Sequence, residues 1–438
     1  MTRTLARELA AKVGETVTIK GWIHKKRLLG GLNFITIRDR SGIAQTLIDN
    51  KDELEKLRGL QIGTVLTLDG VVIADERAPG GAELHNVTVT VEVPVVDEPP
   101  IEIDKPINHK AENLDTLFEY RVLNIRNIQE QKIFKIRGDL TYYIRDFLRG
   151  KEFVEIDTPK LLAEPTEGGA EVFKLDYFGK VATLAQSPQF YKQIMVGAYE
   201  RVFEIGHSYR AEPSATTRHL TELTMLDIEM GFVESHDEVL NMVGDMTQYT
   251  LRRVYEEHAD DLKSLNAPEL LLPEDGNIPR FTIAEIHEMY TKATKTDVTD
   301  EKDLIPDEER WISEYARKNF HSDLVFAIEF PLAAGKFYHK LDHERGVVMW
   351  GDLLFRGLEI ATCPLRENNY KEMIKQMESA GLDVSHEGFK YYLQAFKFGL
   401  PQHGGCGFGI DRLVQKTIGL SNVKEATLFP RDINRLTP

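Results

Sequence analysis

Two hydrophobic periods divide this chain. Up to residue 98 apolar positions mostly alternate with polar ones, whereas after residue 127 runs with a three-to-four repeat appear between the alternating ones. The alternating runs at 17–23, 33–38, 43–48, 65–73 and 87–93 predict five short strands, broken by Gly30-Gly31, Asp39-Arg40-Ser41-Gly42 and Pro79-Gly80-Gly81. A helix-spaced segment at 5–13 precedes them. Residues 99–119 hold Pro99-Pro100 and Pro106 in a polar run and read as a semi-stiff spacer. Beyond it, Ile128, Ile133, Ile136, Leu140, Ile144 and Leu148 mark a long amphipathic helix with Gly150 as its stop, followed by a strand closed by Pro159. Further helices are predicted at 237–255, 283–292 and 307–318, with a strand at 324–330. Residues 201–232 predict a hairpin whose turn-rich centre is 213–217, with Arg210 and Glu212 on one face. Residues 347–366 are read as one strand with a bulge, which would turn Asp352 and Glu359 to the same side. The domain reading is therefore a β-barrel at 1–98, a linker or hinge at 99–126, and a larger α+β domain at 127–438.

Five strands in under a hundred residues fit a small Greek-key barrel such as the OB-fold, which binds single strands by stacking bases on aromatics beside basic groups. The net charge of −16 argues against indiscriminate nucleic-acid binding. Its distribution restores the idea locally, since Lys20, Lys25, Lys26, Arg27, Arg38 and Arg40 cluster with a single acid, Asp39, while acids gather between Glu256 and Glu309. No apolar run approaches the ~20 residues that span a bilayer. The start of the chain has no apolar core and does not read as a signal peptide. The two cysteines, Cys363 and Cys406, exclude a disulfide scaffold and suggest a reducing, cytoplasmic setting; with His403 they lack metal-site spacing and read as buried thiols.

Candidate chemistry collects in five places. Arg210 offers a planar fork to phosphate oxygens, and Glu212 accepts from an amine. Gln189 and Lys192 are three apart and share a helical face. Asp352 and Glu359 suit Mg²⁺ on substrate phosphates. Arg366 suits a carboxylate. The glycine-rich run 404–409 leads to Arg412.

These motifs resemble those of class II aminoacyl-tRNA synthetases, in the aspartyl/asparaginyl branch. Tyr209-Arg210-Ala211-Glu212 with Arg218-His219-Leu220-Thr221-Glu222 resembles motif 2, the long helix and strand ending at Pro159 resemble motif 1, and Gly407-Phe408-Gly409-Ile410-Asp411-Arg412 resembles motif 3. The resemblance implies a class II antiparallel-sheet catalytic domain behind an OB-fold anticodon-binding domain, and a homodimer built on motif 1. It implies catalysis by Arg210 and Arg412, with ATP held by those two and by Glu212, His219, Leu220, Glu359 and Gly409. It implies Mg²⁺ on Asp352 and Glu359. Aspartate would be held by Glu167, Gln189, Lys192, Asp227 and Arg366; asparaginyl enzymes tend to carry an acid where Lys192 stands. Arg27, Phe34 and Gln45 would meet the anticodon of tRNA(Asp). His24 and Pro79 hint that tRNA(Asn) is charged as well. The chain departs from the family at Thr362-Cys363-Pro364-Leu365, where glycines are usual, and at Lys336-Phe337-Tyr338. The first departure is expected to narrow the amino-acid pocket. The rival readings are an asparaginyl enzyme, a paralogue making a small molecule such as asparagine, and an RNA-binding regulator.

Overall fold

A computed structural model of the chain describes residues 2–28, 32–107, 113–163, 171–213 and 216–437. Glu167 and the glycines beside it lie outside the described residues. The chain divides into two compact units, Met1–Gln131 and Lys132–Pro438.

In the first unit the five expected strands form: Thr16–Leu28, Asn33–Asp39, Gly42–Ile48, Val65–Ala74 and Ala82–Val93. Antiparallel pairing of Thr16–Leu28 with Val65–Ala74 closes them into a barrel, and the short strand Arg3–Thr4 adds to the Thr16–Leu28 edge. Alternation works as read: Ile19, Ile23, Ile35, Ile37, Leu66, Leu68 and Leu84 fill the interior. The segment at 5–13 is a 3-10 helix, Ala6–Lys12, rather than an α-helix. The helix Lys51–Arg58 was not anticipated; Asn50 caps it by accepting from the Asp52 and Glu53 amides. The stretch read as a spacer carries two short helices, Leu114–Glu119 and Arg121–Asn124. Arg121 is buried there against Glu130 at 2.7 Å, so this part of the spacer is packed.

The second unit is built on a nine-stranded, mainly antiparallel sheet. Its order runs Arg280–Thr282, Leu324–Pro331, Val347–Phe355, Glu359–Pro364, His403–Gly409, Glu222–Gly231, Arg201–Tyr209, Val154–Glu155, with Leu341–Asp342 beside Val347–Phe355. Pairing is parallel only in the outermost pair at each end. The helices Ile128–Gly150, His236–Glu257 and Ile410–Ile418 bury Ile133, Leu140, Ile144, Leu240, Val243, Leu413 and Val414 in one core with Phe203, Leu226, Leu353, Phe355 and Phe408 of the sheet. The hairpin forms as expected, from Arg201↔Met230 to Tyr209↔Glu222. The reading of 347–366 as one strand is corrected. Arg356 and Gly357 both adopt positive φ and reverse the chain, so Asp352 and Glu359 sit on neighbouring antiparallel strands with a register shift between Leu353 and Leu354. Among the described residues no helix is long and apolar enough to cross a membrane.

Candidate active site

A cavity of about 380 Å³ opens over the central strands of the large sheet. Arg210 and Glu212 follow the first hairpin strand, and Arg218, His219 and Leu220 precede the second; all five line the cavity. Arg210 Nη1 and His219 Nε2 stand 3.8 and 3.7 Å from opposite oxygens of Glu212. Arg218 is held by both carboxylate oxygens of Glu309 at 3.1 Å. Across the cavity, Arg412 in the first turn of Ile410–Ile418 donates from Nη1 to the Glu359 carbonyl at 2.8 Å and to Glu359 Oε2 at 3.2 Å. The glycines leading to it are a packing requirement. A Cβ on Gly405 would stand 1.9 Å from the Ile228 carbonyl oxygen, so no side chain fits. Gly407 and Gly409, further along the strand, line the cavity.

Glu359 lines this wall, whereas Asp352 is not among the lining residues. Trp350 Nε1 donates to Asp352 Oδ1 at 2.6 Å. Burial, then the neighbouring Glu359, push the Asp352 carboxyl well above the usual carboxylate range. Burial works on Glu359 in the same direction, but Arg412 and Thr362 overcome it and hold that carboxyl low. Among the described residues no group of three acid, histidine or cysteine side chains gathers as a metal cage.

At the other end of the cavity the cations arrive already paired. Lys192 Nζ donates to Asp227 Oδ1 at 2.8 Å and to the Cys406 carbonyl at 2.9 Å, with Glu229 Oε2 at 3.7 Å. Arg366 grips Glu229 through Nε at 2.9 Å and Nη2 at 3.1 Å, and Nη2 also donates to Gln189 Oε1 at 3.2 Å. Lys192, Arg366, Asp227 and Glu229 are all at most 3% exposed. Burial opposes the Glu229 charge, yet Arg366 and Lys192 hold its carboxyl below the ordinary range. Glu229 is one of the residues that sequence reasoning left out of the site, as are Arg218, Trp350 and Thr362 of the cavity lining. For Glu229 the omission was avoidable. Its signal was present, since it lies two positions from Asp227 and so on the same face of the strand Glu222–Gly231.

The departure at 362–365 acts through alternate residues only. Thr362, Pro364 and Arg366 face the cavity, while Cys363 and Leu365 face the core. Cys363 and Cys406 are both buried and unbridged, as read. Lys336 and Tyr338 also line the cavity, with the Tyr338 ring 5.3 Å from the Arg366 guanidinium carbon.

On the barrel, Phe34, Thr36 and Arg38 occupy the outer face while Ile35 and Ile37 point inward. Arg27 is paired with Phe34, and Gln45 with Thr36. Gln45 Nε2 donates to Glu83 Oε2 at 2.7 Å. Arg38 lies over the exposed Trp22 ring at 4.8 Å. His24 is the extra residue of a bulge between Ile23 and Lys25, and burial, then Arg38, lower its pKa. Pro79 opens an exposed 3-10 turn.

Residues 113–433 match the family "tRNA synthetases class II (D, K and N)", and residues 17–93 match "OB-fold nucleic acid binding domain". The chain is 38% identical over all of both chains to an aspartate--tRNA(Asp/Asn) ligase of Thermus thermophilus. It is 36% identical, over 97% of each, to an aspartate--tRNA(Asp) ligase of Pyrococcus horikoshii. Among solved structures, asparaginyl-tRNA synthetase from Pyrococcus horikoshii complexed with asparaginyl-adenylate superimposes with a TM-score of 0.91 at 29% identity over all of both chains. Aspartyl tRNA synthetase from Entamoeba histolytica does so with a TM-score of 0.86 at 27% identity, over 100% of this chain and 93% of that one.

Proposed function

The chain belongs to the class II tRNA synthetases (D, K and N), and from that premise we propose how its residues divide the work on aspartate, ATP and tRNA. The enzyme is an aspartate--tRNA ligase. The α-carboxylate of aspartate attacks the α-phosphorus of ATP, giving aspartyl-adenylate and pyrophosphate; the 3′-terminal ribose of tRNA then attacks the adenylate carbonyl. Neither step needs a covalent enzyme intermediate, so catalysis rests on positioning and charge.

Arg210 holds the α-phosphate, Glu212 accepts from the adenine amine, and Arg412 neutralises the γ end. His219, Leu220 and Gly409 complete the nucleotide wall. Asp352 and Glu359 fit a hard cation carried on the phosphates, because the buried Asp352 carboxylate and the half-buried Glu359 carboxylate beside it repel each other until one is protonated or a cation stands between them. Mg²⁺ bound there would neutralise phosphate charge. Arg366 and Lys192 read the aspartate side-chain carboxylate. Asp227, Gln189 and Glu167 hold its ammonium.

The observation that carries the amino-acid choice is the Arg366 fork. Nε and Nη2 are spent on Glu229 and Gln189, and Nη1 has no protein partner among the described residues. Its two hydrogens match a carboxylate and would clash with the NH₂ of asparagine. Arg27, Phe34 and Gln45 take the anticodon, and His24 with Pro79 extend the range to tRNA(Asn). The functional form is a cytosolic homodimer joined through the helix Ile128–Gly150 and the strand Val154–Glu155.

The test is ATP–pyrophosphate exchange with aspartate and asparagine in parallel, followed by charging of both tRNAs. Exchange with aspartate only, and charging of both tRNAs, is the expected result. Equal exchange with asparagine would overturn the reading of Arg366. Charging of tRNA(Asp) alone would overturn that of His24 and Pro79.

A further inference from the structure

Behind Arg366 runs a buried chain of hydrogen bonds that no catalytic step uses. Pro401 O accepts from His403 Nδ1 at 2.9 Å. A carbonyl can only accept, so Nδ1 carries the proton and Nε2 of the neutral ring is bare. Gln193 Nε2 lies 2.8 Å from that bare nitrogen and donates to it. The amide of Gln193 is thereby oriented with Oε1 pointing the other way, where it accepts from Gln189 Nε2 at 2.9 Å and from the Tyr392 hydroxyl at 3.0 Å. With its Nε2 held, Gln189 turns Oε1 to Arg366 Nη2. His403 and Gln193 are fully buried, Tyr392 is 1% exposed and Gln189 4%. Tyr392 is also clamped by stacking on Phe190 at a centroid distance of 4.4 Å.

Each link admits one orientation. If Gln193 turned over, its NH₂ would face the NH₂ of Gln189, and its oxygen would face the lone pair of His403. If Gln189 turned over, its NH₂ would face the guanidinium. Either error leaves buried donors without acceptors. The backbone carbonyl of Pro401 thus sets, through three side chains, which atom meets Arg366.

We propose that Gln193 and Tyr392 are positioning residues for amino-acid selection. They fix the amide of Gln189, which with Glu229 fixes the plane of the Arg366 fork and so the enzyme's preference for a carboxylate over an amide side chain. Neither residue lines the cavity, so neither touches the substrate. This inference rests on the assignment of Arg366 to the aspartate side chain.

The experiment measures ATP–pyrophosphate exchange by the full-length Gln193→Leu, Tyr392→Phe and Arg366→Ala enzymes with aspartate, asparagine and ATP each varied. Gln193→Leu is expected to raise KM for aspartate about tenfold, the effect of one misdirected buried hydrogen bond, and to narrow the preference for aspartate over asparagine by a similar factor. KM for ATP should stay within about twofold. Tyr392→Phe keeps the ring on Phe190 and should shift the same parameters less. A merely structural role would instead move both KM values and the unfolding temperature together, and that result overturns the proposal. So does Gln193→Leu with unchanged aspartate parameters. If Gln193→Leu fails to fold, Tyr392→Phe decides, and unaltered selectivity there overturns it. Arg366→Ala separates the two levels. Retained selectivity in that variant sinks the assignment of Arg366 itself, whereas lost selectivity there with normal Gln193→Leu kinetics sinks only the positioning chain.

Discussion

Lys192 has two tasks that pull apart on substitution. It lines the cavity at the end proposed for aspartate, and it neutralises Asp227 and Glu229 within the protein. Lys192→Met should raise KM for aspartate at least about tenfold, or ~1.4 kcal/mol. It should also cost roughly 3–5 kcal/mol of stability, because two buried carboxylates lose a partner. Exchange kinetics and urea unfolding read the two effects separately, and near-wild-type kinetics would remove Lys192 from the site. Glu229 gives the same cluster a pH dependence. Its carboxyl titrates below the ordinary value of about 4.3, because Arg366 and Lys192 outweigh the effect of burial. Its stabilisation is therefore complete above that value and is withdrawn as pH falls through the lower folded pKa. Unfolding followed from about pH 7 to about pH 3 should show a shallower loss for Glu229→Gln than for the parent. Equal slopes would mean that the Glu229 carboxyl titrates alike in the folded and unfolded chain.

At the scale of strands, period-two alternation decides what a substitution reaches. Cys363 and Leu365 are the conspicuous departures in their segment, yet both face the core, and the cavity meets Thr362 and Pro364 instead. That division was legible from Arg366 outward, since 362, 364 and 366 share a face. The turn before it was not. Arg356 adopts a φ of 50° without being glycine, so no turn residue other than Gly357 marks the reversal, and two strands read as one. The barrel strands, the hairpin and the three later helices were legible because their hydrophobic periods are regular over many residues. The helix Lys51–Arg58 was missed because only Leu57 of its residues is buried, leaving almost no apolar stripe. A buried ion partner such as Glu309, which meets Arg218 from a distant helix, is set by tertiary approach, and charge alone does not reveal approach. Gly405 shows how tightly the central strands are joined. Gly405→Ala must part the strands His403–Gly409 and Glu222–Gly231, and should cost about 3 kcal/mol or more. Gly59→Ala has open space around it and should stay within about 0.5 kcal/mol. Thermal unfolding of the two variants checks the contrast, and a well-tolerated Gly405→Ala would show that the strands can separate locally.

For the whole molecule, the barrel and the sheet unit each enclose a hydrophobic core of their own. Phe34→Ala, on the outer face of the barrel, should therefore leave adenylate formation unchanged while weakening tRNA charging, by roughly 1–3 kcal/mol for a lost base stack. An equal fall in ATP–pyrophosphate exchange would contradict a separate tRNA-reading role for that face. The pre-paired cluster of Lys192, Arg366, Asp227 and Glu229 has a further consequence, in ionic strength. Buried pairs are hardly screened by salt, and none of the four residues recruits a counterion from solution. Were the exposed Arg27 and Lys25 of the barrel to meet tRNA phosphates, they would do so by releasing condensed counterions. Between roughly 50 and 200 mM salt, then, tRNA affinity should fall steeply while aspartate affinity barely moves. Salt would act on this enzyme as a selective brake, silencing the transfer step while the adenylate continues to form.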